Sequence, residues 1–129
     1  MKKILKLEKR TTTKEKLYII LLSKDNNIIY PIIYMKTYFP YKSDKPTKKY
    51  YIITSNNKKV YFGAAGMSDY TIHKDEERKQ RYINRHKANE KQFWNKSGID
   101  TPSFWAYFLL WNKPTINESY QYIKSKFLI

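Results

Sequence analysis

The chain has 129 residues, 41% hydrophobic and 17% aromatic, which is enough apolar material for one core and too much for a disordered tail. Lys and Arg number 26 against 11 Asp and Glu, a formal net charge of +15, so the partner class is a polyanion: nucleic acid, an anionic membrane surface or an acidic protein. The absence of cysteine excludes disulfides and thiolate metal sites and suits a reducing compartment.

Of the 26 basic residues, 22 are Lys and four are Arg. Lys, Asn, Ile and Tyr are residues of A·T-rich codons, so part of the lysine excess reflects base composition, and the placement of the arginines carries more weight. No apolar run reaches the ~18–20 residues of a spanning helix, and residues 1–16 lack the apolar centre of a secretory signal. The expectation is a protein that is not secreted and has no membrane span.

Residues 1–16 hold seven basic side chains, among them Lys2, Lys3, Lys9 and Arg10, beside the run Thr11-Thr12-Thr13. They read as a basic flexible arm preceding one α+β domain over 17–129. The arm either frays in solvent or orders on a phosphate backbone. Residues 17–22 and 28–39 are β-branched and aromatic runs joined by a polar Asp-Asn segment, a hairpin signal. Pro31 restricts the second run to an edge or ends it early, and 40–48, with Pro40 and Pro46, reads as a loop.

The clearest hairpin lies over 49–54 and 59–62, around Ser55-Asn56-Asn57-Lys58, because Asn tolerates the left-handed conformation of a tight turn. Gly63-Ala64-Ala65-Gly66 then ends the sheet. Ser68 or Asp69 caps a helix running to about Trp94, and Gly98 marks a break. Thr101-Pro102 restarts a helix whose body, 104–111, is apolar all round and expected to be buried. Thr115-Ile116-Asn117-Glu118 fits a capping box opening a last helix, with Ile116, Tyr120, Ile123 and Phe127 on one stripe. Strands first and helices after predict an α+β fold, a small antiparallel sheet in the N-terminal half packed against about three C-terminal helices. The expected core is Phe104, Phe108, Trp111, Ile116, Tyr120, Ile123 and Phe127.

On a helix running through 74–94, Lys74, Arg78, Arg81 and Arg85 fall within about 60° of one another, a basic ridge roughly 16 Å long. Ile72, Ile83, His86, Phe93 and Trp94 fall on the other side. Arginine pairs phosphate oxygens or a guanine edge through its planar fork, so the ridge suits a phosphate backbone or a major groove. A solvated face with internal ion pairs is the bland alternative, since Asp75, Glu76 and Glu77 are close by. Lys48, Lys49, Lys58 and Lys59 flank Tyr50, Tyr51 and Tyr61 on the hairpin and form a second candidate group. Those tyrosines are either half-buried sheet residues or a stacking face for single-stranded bases.

No catalytic residue, metal or cofactor is expected. His73 and His86, 13 residues apart on one helix, point in different directions about 20 Å apart and cannot share a metal. Asp69, Asp75, Glu76 and Glu77 read as acids at a helix N-terminus, and residues 63–66 lack the Gly-Lys-Ser/Thr ending of a phosphate loop.

The strings at 61–75 (Tyr61-Phe62-Gly63 through Lys74-Asp75), 81–87 (Arg81-Tyr82-Ile83-Asn84-Arg85-His86-Lys87) and 104–115 (Phe104-Trp105 and Leu109-Leu110-Trp111-Asn112-Lys113-Pro114-Thr115) carry a resemblance over about 49–126. The chain resembles an uncharacterised family of small basic proteins of large eukaryotic DNA viruses, the phycodnavirus and mimivirus-like groups. That family has a Gly-Tyr-Ser-Asp-Tyr-Thr segment where this chain has Met67 in place of the first Tyr. The resemblance implies a viral setting and no catalytic residues. Together with the charge it gives the expectation of a nucleic-acid-binding accessory or packaging protein, double-stranded DNA favoured, with little sequence specificity. It would act in the virion or in the host-cell cytoplasm or nucleus. A virion structural protein whose main partner is another capsid protein is the alternative, and a nuclease-like enzyme the third reading.

Overall fold

A computed structural model describes residues 35–129, and all the elements below belong to the unit Thr37–Ile129. The expected arm at 1–16, the run at 17–22 and most of that at 28–39 lie outside the described residues. The described end of the latter run, 35–39, is turn and coil rather than strand.

Three strands, β1 (Tyr41–Lys42), β2 (Lys48–Ile53) and β3 (Lys59–Ala64), make an antiparallel sheet in the order β1-β2-β3. The β2–β3 hairpin forms where the turn residues direct it, with Asn57 in the left-handed region at φ 62°. Its register pairs Tyr50 with Phe62, Tyr51 with Tyr61 and Ile52 with Val60. Side chains alternate along a strand, so Tyr50, Ile52, Val60 and Phe62 share the face that meets the helices. Tyr41, Tyr51 and Tyr61 line up across the other face, with neighbouring ring centroids 5.7 and 5.4 Å apart. The expected loop at 40–48 thus contributes the short edge strand β1.

The helical half is α1 (Tyr70–His73), α2 (Glu76–Glu90), two 3₁₀ turns (Lys91–Phe93 and Lys96–Gly98), α3 (Pro102–Trp105) and α4 (Ile116–Phe127). The fold is α+β, as the order of elements implies. No helix among the described residues is long and apolar enough to cross a membrane.

The single helix expected over 69–94 is broken. Asp75 takes an extended backbone (φ −98°, ψ 111°) and its side chain accepts from the amides of Glu77 and Arg78, which starts α2 and stops α1. Lys74 closes α1 in the left-handed region at φ 56°, its amide donating to the Tyr70 carbonyl. The other caps fall where the sequence puts them: Asp69 on α1, Thr101 followed by Pro102 on α3, and Thr115, accepting from the Glu118 amide, on α4.

Residues 104–111 also depart from the expected helix. Beyond α3 the chain widens into one π turn, Ala106–Leu110. Phe108, Leu109 and Leu110 are consecutive and all buried, which fits a segment surrounded by protein. Trp105 is fully buried, and its indole N–H donates to the Ile99 carbonyl at 2.8 Å. Of the expected core, Phe104, Phe108, Ile123 and Phe127 are buried, while Trp111, Ile116 and Tyr120 pack half-exposed at its edge. Gly98 is required by space: a Cβ there would stand 2.0 Å from the Phe93 carbonyl oxygen.

Candidate functional site

Helix α2 turns Tyr82, with half-buried Lys79, Ile83, His86 and Glu90, toward the protein. These positions follow the i, i+3, i+4, i+7 spacing of one helix face. Arg78 and Arg81 are exposed away from that face, and Arg85 is exposed at its border, where it also lines the cleft between the hairpin, α2 and the π turn. Within an uninterrupted helix their spacing makes a ridge about 10 Å long. Arg81 makes one loose contact, 3.9 Å from Glu77, with both side chains well exposed (60% and 88%), a geometry worth little. Among the described residues Arg78 and Arg85 make no ion pair.

Lys74 does not belong to this ridge. The break at Asp75 resets the helix, and the Lys74 ammonium donates to the Thr71 carbonyl at 2.8 Å. Ile72, placed by the continuous wheel on the apolar side, is 62% exposed on α1. Phe93 and Trp94 lie past the end of α2, where Trp94 stacks on Tyr107 at 3.9 Å.

The four hairpin lysines split into two groups at opposite ends of strands about 17 Å long. Lys58 is exposed in the turn. Lys59 pairs with Asp44 at 3.1 Å and lies over the Tyr51 ring at 4.7 Å. The Tyr61 hydroxyl donates to Asp44 at 2.6 Å; that bond first, then Lys59, holds the Asp44 carboxyl below its usual range. Tyr51 is only 8% exposed and Tyr50 faces the core, so these two rings do not form an open stacking face. Lys2, Lys3, Lys9 and Arg10 lie outside the described residues.

At the other end, Lys48 and Lys49 share a cleft with Arg85, an arrangement that the sequence, read element by element, does not show. They line a cleft of about 400 Å³ between the hairpin, α2 and the π turn. Lys49 reaches Asp69 at 2.6 Å, with the two side chains 15% and 3% exposed. Asp69 also caps α1 and accepts from the Thr71 hydroxyl at 2.5 Å, so its charge is fully engaged. Lys48 is exposed and, among the described residues, makes no ion pair.

Tyr82 is held between Trp111 (4.3 Å, planes 4° apart) and His86 (4.1 Å, 25°). Burial raises its hydroxyl pKa, Glu90 adding and Arg85 opposing, so the phenol stays protonated. His86 Nδ1 donates to the Tyr82 carbonyl at 2.9 Å, and its Nε2 lies 3.6 Å from Glu90. This is the core-edge histidine with a hydrogen-bond partner that its position on α2 suggests. Tyr82, Glu90 and Asp69 carry no binding signal in the sequence beyond periodicity and capping.

His73 is separate from the cleft lining. Its Nδ1 accepts from the Asp75 amide at 2.9 Å, so the neutral ring carries its proton on Nε2, which is buried without a partner. Burial first, then Arg78, depresses its pKa, against the opposing pull of Asp75 and Asp69. The unfolded chain therefore takes up this proton first as pH falls through about 6.5. Stability from neutral His73 is complete above that pH and is lost on acidification. The urea midpoint should fall between about pH 7.5 and about pH 5.5. His73→Asn should lose part of that fall, and an identical pH profile in the variant would remove His73 as its source.

A family of unknown function (DUF5754) matches residues 41–86, the segment from β1 through most of α2. It takes in the whole sheet, the Arg ridge and the cleft residues Lys48, Lys49, Asp69, Tyr82, Arg85 and His86. No curated protein and no solved structure matches the chain.

Proposed function

We propose that the protein binds the phosphate backbone of nucleic acid, double-stranded DNA above RNA and with little sequence preference, as an accessory or packaging protein of a large DNA virus. The observation that carries this reading is the ridge of Arg78, Arg81 and Arg85, three exposed guanidinium groups on one face of an uninterrupted helix. Of the acids nearest to it, Asp75 caps α2 and Tyr70 donates to Glu76, while Glu77 makes only the loose, solvent-exposed contact with Arg81. The net charge of +15 supplies the long-range attraction. DNA is favoured over RNA on the viral resemblance, and the same resemblance proposes the virion or the host-cell cytoplasm or nucleus as the place of action.

The second reading is a virion structural protein whose main partner is another capsid protein. Met67, 66% exposed, and Ile72, 62% exposed, favour it, because large apolar side chains on a charged surface suit a protein contact better than a phosphate one.

Titrating a fluorescent duplex with the full chain at several salt concentrations tests the first reading. Affinity should fall linearly on a log–log scale, by about 0.9 per phosphate contact, and alike for unrelated sequences. Binding that is absent at low salt would refute it. Enrichment in purified virions without DNA binding would support the second.

A further inference from the structure

The lining of the cleft divides chemically. Met67, Pro102, Ala106, Leu110 and Trp111 supply an apolar wall, while Lys48 from β2 and Arg85 from α2 supply two cations from separate elements. Of the two acids present, Asp69 is taken by Lys49 and the α1 cap, while Glu90 has only a 3.6 Å approach to the His86 ring, so one carboxylate stands against the two cations. The remaining charge is positive, with no ion pair for Lys48 and Arg85 among the described residues. Hydroxyl donors complete the lining. Ser103 Oγ accepts from the Trp94 indole N–H at 3.1 Å, and its own proton makes no hydrogen bond among the described residues. The Tyr82 hydroxyl makes no hydrogen bond among the described residues.

We propose that this cleft is a nucleotide site: it takes one nucleotide, with the phosphate on Lys48 and Arg85 and the base against Met67, Pro102 and Ala106. Its volume of about 400 Å³ lies in the range of small-ligand sites. Its lining is polar and apolar in about equal measure, which suits a ligand with one charged and one apolar part. Orthophosphate alone would leave the apolar wall wet, and an apolar ligand would leave both cations without an ion pair. The nucleotide is either free or one unit of a strand, an end or an unstacked position. The proposal rests on the DNA-binding reading only for the second of these sources.

The test is calorimetric titration of the full chain with deoxyadenosine monophosphate, inorganic phosphate and deoxyadenosine, with the amide shifts of Gly63 and Ala64 locating the site. The monophosphate should bind about tenfold or more tighter than either part, since each part forfeits at least one charged or apolar contact. Lys48→Gln, an exposed substitution that spares the core, should weaken it about tenfold, the usual loss for one charge-assisted hydrogen bond. Ala64→Leu, on an exposed residue of the lining, should obstruct the cleft, its melting curve reporting the fold. Lys124→Gln, the same loss of charge on α4, should bind as the parent does.

A monophosphate that does not bind overturns the proposal, as does one that binds without shifting Gly63 and Ala64. Parental affinity in both Lys48→Gln and Ala64→Leu overturns it as well. Displacement of the monophosphate by a single-stranded 12-mer assigns the site to a strand; failure to displace assigns it to free nucleotide, and either result upholds the cleft. Duplex binding that survives without monophosphate binding sinks the cleft and spares the ridge. Monophosphate binding beside an inert ridge does the reverse.

Discussion

Replacing Arg78, Arg81 and Arg85 together by Gln should lower duplex DNA affinity about 100-fold at physiological salt and leave the fold in place. Each phosphate contact contributes about 0.9 to the log–log salt slope, which near 0.15 M salt is roughly fivefold in affinity, so three contacts multiply to about 100-fold. The slope itself should flatten by about 2.7, a readout that general damage to the protein would not produce. Stability should move little. All three side chains are exposed, Gln has nearly the helix propensity of Arg, and the one ion pair lost, Arg81 with Glu77, is long and open to solvent. Exposed substitutions of this kind usually stay within about 0.5 kcal/mol each. Parental affinity in the triple variant would sink the ridge as a DNA site. A loss confined to G-containing sites would instead point to guanine edges read in the major groove. Lys74→Gln is the internal comparison: it lies off α2, bonded to the Thr71 carbonyl, and should change affinity less than any one of the arginines.

The same stretch shows how much of the molecule is legible in the sequence. Asn57 in the hairpin turn, Thr101-Pro102 before α3 and the Thr115 cap are local choices, and local chemistry decides them. The break at Lys74-Asp75 is also local, but two signals compete there. The periodicity of Lys74, Arg78, Arg81 and Arg85 argues for one helix, while an Asp followed by two Glu argues for a new N-terminus. The cap prevails: Asp75 satisfies two amides at once and Lys74 accepts the left-handed conformation that this demands. A reading based on the period alone therefore adds Lys74 to the ridge and puts Ile72 inside.

The cleft is another matter. Lys48 and Arg85 are 37 positions apart and line the same cleft because the hairpin packs against the π turn beside α2. Widening of a helix into a π turn leaves no mark in an apolar run such as 104–111, where every residue type is compatible with an ordinary helix. The division of the hairpin lysines is likewise tertiary: Lys49 and Lys59 have acids, Asp69 and Asp44, brought to them by the fold.

Gly63→Ala should destabilise the protein by about 3 kcal/mol, and the reason ties the cleft to the fold. Gly63 sits at φ +78° inside β3, where any side chain costs about 1–2 kcal/mol. A Cβ there would also meet Leu110 Cδ1 at 2.9 Å and Lys49 Cβ at 3.2 Å. Leu110 is 2% exposed and has little room to retreat, and the Lys49 chain is anchored at its far end by Asp69 at 2.6 Å. Crowding of this kind adds about 1–3 kcal/mol. Gly66→Ala separates the two contributions, because Gly66 has φ +84° with nothing within 4 Å of its added Cβ. It should lose only the conformational part, about 1–2 kcal/mol. Urea unfolding of both variants with an unchanged m-value measures the difference directly. Equal losses at the two positions would mean that Leu110 and Lys49 move aside freely, and that close contact between β3 and the π turn does not set the shape of the cleft. The expected inequality means that the hairpin is seated on Leu110 only because position 63 carries no side chain, which brings Lys48 within the same cleft as Arg85.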